Sequence, residues 1–162
     1  MRNIKSFKLF ESSLFDYDDN HLTVENMLEL NDILLELIDS DIDYKIIAGD
    51  VKSPNGVFIY SGDIKINKMK NHLDPDRFII EIALFPAAEN NEPMLSNTNF
   101  KLTKDIIDVI KRVDAYFKEL GFNISLHEWS GDKLEPITIN ILENYINRFY
   151  NVNIDQLDIK LS

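Results

Sequence analysis

The sequence predicts an α+β fold, a mixed or mostly antiparallel sheet of about four strands covered by helices. Its element order is helix, three strands, helix, strand, helix. Three observations lead there: apolar residues recur at helical spacing over 24–38 and 103–120, period-two alternation fills the stretch between them, and Gly, Pro and Asn punctuate the joins. A chain of 162 residues is long enough to bury one ordinary core. We divide it into a basic leader-like segment, 1–12, and a single acidic domain, 13–162.

The first helix is expected from Val24 to Ile38 with Thr23 as N-cap. Val24, Met27, Leu28, Leu34, Leu35 and Ile38 should face the core. Glu25, Glu29, Asp32, Glu36 and Asp39 step by four, three, four and three along another face, and no Lys or Arg interrupts them. Like charges at such spacing repel by about 0.2–0.5 kcal/mol per pair in isolated helices. These five residues are therefore the candidate docking surface for a basic partner.

"YKIIAGDVK" and "VFIYSGDIKI" follow, joined by Ser53-Pro54-Asn55-Gly56, which reads as a hairpin turn with Gly56 at a positive dihedral. "RFIIEIALF" is apolar on both faces and should be an inner strand. The polar stretch between Pro86 and Lys101 is long enough to be a lid or a disordered connection. A strong helix runs from an N-cap at Thr103 to Leu120, stopped by Gly121 in the left-handed region with Phe122 folding back. "FNISLHEW" alternates as a strand, with Phe122, Ile124 and Leu126 inward and Ser125, His127 and Trp129 outward. The last helix should begin near Pro136, a favoured first-turn residue, and end about Tyr150. "IDQLDIKL" fits either a terminal strand or a short helix. Ala/Ser-Gly-Asp recurs at 48, 61 and 130 without repeating flanks, so it marks no repeat array.

Charge and composition narrow the chemistry. The net charge is −11, and cysteine is absent, so disulfides and thiolate chemistry are excluded. An acidic surface repels phosphate backbones, and direct nucleic-acid binding is not expected. No apolar run reaches the ~18 residues of a membrane span. Asp16, Asp18 and Asn20 open like a calcium loop, but His21 stands where Gly is needed and Met27 where the bidentate Glu belongs. The three histidines form no metal-binding pair, so neither metal nor cofactor is expected. Ser125, His127 and Trp129 share one strand face and are the candidate ligand face if the protein is an enzyme or small-molecule binder. The alternative for Trp129 is packing under the final helix. The residues favour a binding protein over an enzyme.

The opening "MRNIKSFKLFES" holds Arg2, Lys5 and Lys8 with no acid before Glu11. This stretch resembles the leader of small proteins encoded by myovirus-type tailed bacteriophages. In the head-packaged members a protease cuts after a Leu-x-Glu pattern, which Leu9-Phe10-Glu11 matches, with Glu11–Ser12 as the implied bond. The resemblance covers residues 1–12. It implies a phage-encoded accessory protein in the host cytoplasm or the virion, packaged in the head or inhibiting a basic host protein.

Overall fold

The computed structural model describes residues 22–50, 56–67, 72–73, 78–87, 99–149 and 151–161. The leader, with Leu9 and Glu11, lies outside them, as do the calcium-like stretch and most of the 86–101 connection.

The described residues begin with β1 (Leu22–Thr23) and α1 (Val24–Leu34). Thr23 caps α1 through a capping box with Asn26, whose backbone N–H donates to Thr23 Oγ1 at 3.2 Å while Asn26 Oδ1 accepts from the Thr23 N–H at 2.9 Å. The expected helix does not run unchanged to Ile38. It tightens into a 3-10 helix over Leu35–Ser40, which Asp41 ends in the left-handed region at φ 57°. Tightening advances each residue by about 120° instead of about 100°. Leu37 thereby turns into the core, while Leu35 and Ile38, both expected inward, are each 40% exposed.

β2 (Ile42–Asp50) and β3 (Gly56–Tyr60) form the expected hairpin. Gly56 is needed for space rather than for a turn dihedral: a Cβ there would lie 2.6 Å from the Ala48 carbonyl oxygen and 2.7 Å from Gly49 Cα. The expected second strand is in fact two. Ser61 and Gly62 take φ values of 43° and 88°, a type I′ pattern, and turn the chain into β4 (Asp63–Asn67). β5 (His72–Leu73) pairs with β1, and β6 (Phe78–Pro86) follows as the inner strand the sequence predicts.

After β7 (Phe100–Lys101) comes α2 (Lys104–Glu119), capped by Thr103. Its end is a Schellman motif: Phe122 N–H donates to Phe117 O at 2.9 Å, Gly121 N–H to Lys118 O at 3.0 Å, and Gly121 has φ 83°. β8 (Ile124–Ser130) then turns at Gly131 into β9 (Lys133–Ile137). Pro136 therefore sits in an edge strand and not in the first turn of a helix. α3 (Ile139–Arg148) starts instead behind the N-cap Thr138. β10 (Asn153–Ile154) pairs with β7, and "QLDIKL" is a strand, β11 (Gln156–Leu161).

The α+β class holds, with two corrections. Among the described residues the main sheet has seven strands rather than about four, and every pairing there is antiparallel, in the order β4-β3-β2-β6-β11-β8-β9. Of the extra strands, β4 comes from a two-residue turn that splits an expected segment, β9 from the two-residue turn after β8, and β11 from the terminal segment that fits either strand or helix in the sequence. The mixed sheet was expected from a crossover helix leading directly to a neighbouring strand. Instead α2 carries the chain past one empty place, and β11 returns to fill it between β6 and β8. Helices α1, α2 and α3 cover one sheet face, where Leu30, Leu34, Ile46, Ile82, Ile110, Val113, Phe117, Leu142 and Leu157 are fully buried.

Candidate functional site: an acidic helical face and a polar strand face

The five acidic residues of the first helical stretch are all exposed. Glu25, Glu29 and Asp32 stand on α1, and Glu36 and Asp39 on the 3-10 helix. Two of them also tie the stretch to α2. Arg112 grips Glu36 with both guanidinium nitrogens, Nη1 donating at 2.8 Å. That contact holds the Glu36 carboxyl below its ordinary range, chiefly through the hydrogen bond from the guanidinium. One turn along α2, Tyr116 donates its hydroxyl to Glu29 at 2.6 Å and accepts from Asn26 Nδ2 at 3.2 Å. Burial, and then the bond to Glu29, push the Tyr116 hydroxyl up. Arg112 thus brings this face a cation from a neighbouring helix, a contribution the sequence of α1 alone does not reveal.

On the opposite side of the sheet the structure brings Ser125, His127 and Trp129 onto one face, as their alternation requires. Trp129 does not lie under α3: Leu126, three residues back and so of opposite parity, is the one that faces the helices. The Trp129 indole Nε1 instead donates to Asp158 Oδ2 at 3.0 Å, and Gln156 Nε2 donates to Asp158 Oδ1 at 2.7 Å. Asp158 is 1% exposed. Both its oxygens are used, so the buried carboxylate is satisfied by two neutral donors. His127 stands directly across from Asp158 on the neighbouring strand, yet its buried Nδ1 makes no hydrogen bond. The pair is therefore not a carboxylate–imidazole dyad. Ser125 donates to the Lys160 carbonyl at 3.4 Å, which makes it part of the sheet's own bonding.

Asp158 and Gln156 were not legible as site residues, although a lone Asp between Leu157 and Ile159 is a signal that a strand hides a carboxylate. Among the described residues no group of three or more His, Asp or Glu side chains is placed to hold a metal ion. No described helix is long and apolar enough to cross a membrane.

Comparison with known proteins gives no match to any family, to any curated protein or to any solved structure.

Proposed function

We propose that this chain is a phage-encoded accessory protein that binds a basic protein, of the host or of the virion, through the acidic face of α1 and the 3-10 helix. The observation that carries this reading is the exposure of Glu25, Glu29, Asp32, Glu36 and Asp39 on a stretch with no basic residue of its own. A surface shaped by stability alone usually mixes signs, because interspersed charges attract. A helical stretch whose own charges are all of one sign costs some helix stability and in return steers an oppositely charged partner. The phage origin rests on the resemblance of residues 1–12.

Affinity purification of the full chain from producing cells tests both parts. Asp32→Lys combined with Asp39→Lys spares Glu29 and Glu36, which also tie α1 to α2. Loss of a co-purifying basic protein in that variant is the expected result, and an unchanged set of partners would overturn the role of this face. A mature chain beginning at Ser12 assigns it to the head-packaged class; an intact Met1 with a host protein attached makes it a cytoplasmic inhibitor.

A second reading, an enzyme or ligand-binding domain at the Ser125, His127 and Trp129 face, draws on one observation, the unpartnered buried Nδ1 of His127. Trp129 fluorescence screened against nucleotides and metal ions tests it. Silence across the screen would count against it.

A further inference from the structure

The two edges of the seven-stranded sheet are not alike. In β9 the turn flanked by Ser130 and Lys133 sends the backbone groups of Leu134 and Pro136 outward. Pro136 has no N–H to offer, so that edge cannot template a further strand. β4 has no such block. Its type I′ turn closes on Tyr60 and Asp63, which places the backbone groups of Gly62, Ile64 and Ile66 on the side where no described strand pairs with it, each with its N–H. Ile64 is 41% and Ile66 48% exposed on the helix-covered side, and the exposed Leu35 adjoins the turn that precedes them, with its Cδ2 3.2 Å from where a Gly62 Cβ would be. An edge of this kind, apolar, unblocked and next to an exposed leucine, is a pairing surface.

We infer that β4 pairs antiparallel with β4 of a second copy of this chain, in the register that sets Ile64 opposite Ile64. Three features select that occupant and that register. First, Asp63 then lies opposite Lys65 of the other copy, twice by symmetry, in the closely spaced non-hydrogen-bonded positions where side chains meet best. Second, Ile66 falls opposite Gly62 of the other copy, which has no side chain of its own and sits beside the exposed Leu35. Third, a register shifted by one residue in each strand sets Lys65 against Lys65, and like charges directly opposite repel. The result is a continuous antiparallel sheet of fourteen strands, twice the seven of one chain. It uses none of the five residues of the acidic face.

Sedimentation of the full chain from micromolar to near-millimolar concentration, in about 0.15 M salt so that charges more than about 8 Å apart are screened, tests the inference. A reversible monomer–dimer equilibrium is expected. Lys65→Asp should weaken dimerisation about tenfold, and the charge swap Asp63→Lys with Lys65→Asp should restore it. Ile64→Lys should leave a monomer. Asp63 and Lys65 are both exposed, so the swap tests the register even if Ile64→Lys perturbs folding, which far-UV circular dichroism would reveal. A wild-type chain that stays monomeric throughout would overturn the proposal. So would a dimer indifferent to Lys65→Asp, or a swap that fails to restore association.

Discussion

Trp129 donates its indole N–H across the β8–β11 ladder to Asp158 at 3.0 Å, two residues along from its direct strand partner Gln156. The carboxylate it reaches is almost wholly shielded from water and accepts a second bond from Gln156. Asp158→Ala would leave the indole N–H and the Gln156 amide without their acceptor, at a cost of about 1–3 kcal/mol. Asp158→Asn keeps one acceptor oxygen and should lose less. Urea unfolding followed by Trp129 fluorescence measures both, and an Asp158→Asn variant as stable as the wild type would show that the second oxygen is idle.

Tyr44 and Asn31 form a comparable buried pair under α1. The Tyr44 hydroxyl donates to Asn31 Oδ1 at 2.8 Å, with both residues in the core. Tyr44→Phe should cost about 1–3 kcal/mol, because the Asn31 oxygen then has no donor.

The same tyrosine sets a behaviour with pH. Burial, helped by the charge of Asp32, pushes the Tyr44 hydroxyl up to about 12, and Tyr116 is also raised. A group protonated more tightly in the folded state than in the unfolded one stabilises the fold up to its unfolded value, near 10. That stabilisation is lost as pH climbs toward the folded value. Stability should therefore fall from about pH 10 upward. In a tyrosinate absorbance titration, Tyr44 and Tyr116 should ionise together with unfolding. Ionisation of all six tyrosines near pH 10 with the fold intact would contradict this.

Glu36 has the opposite sign. Its carboxyl is held below the ordinary value by Arg112, so the small stabilisation it brings is present above the unfolded glutamate value and lost as pH falls through the lowered one. Carboxyl resonances followed by NMR should show Glu36 titrating below other exposed glutamates. Arg112→Gln should return it to their range.

Gly56→Ala should destabilise by about 1–3 kcal/mol, since the new methyl meets backbone atoms of Ala48 and Gly49 that cannot swing aside. Thermal unfolding measures the loss. A neutral or stabilising result would mean that β2 and β3 separate easily at that end.

Much of this fold was legible because local signals and tertiary needs agree. Thr103, the apolar stripe to Phe117, Gly121 and Phe122 specify α2 from cap to cap, and each residue does what its chemistry predicts. The errors cluster where one residue suits two structures. Pro136 fits a helix start as well as the outward position of an edge strand, and only the pairing with β8 decides between them. Ser61-Gly62 inside an alternating run reads as an irregular strand until positive φ values at both residues make it a turn. At the acidic face, exposure followed from helical spacing, but Arg112 and Tyr116 lie more than seventy residues away in sequence from their partners. No spacing rule reaches that far. Asp158 was hidden for a similar reason, because its donors come together only when β11 lies beside β8.

That placement of β11 has a consequence for how the molecule is made. The strands β4-β3-β2-β6 and the hairpin β8-β9 share no backbone hydrogen bonds until β11 enters between them. While the chain is being synthesised, β6 therefore waits with one edge open and β8 with another, and neither can be closed before residue 161 has left the ribosome. Completion of the sheet therefore joins two pieces made earlier around a strand made later than either.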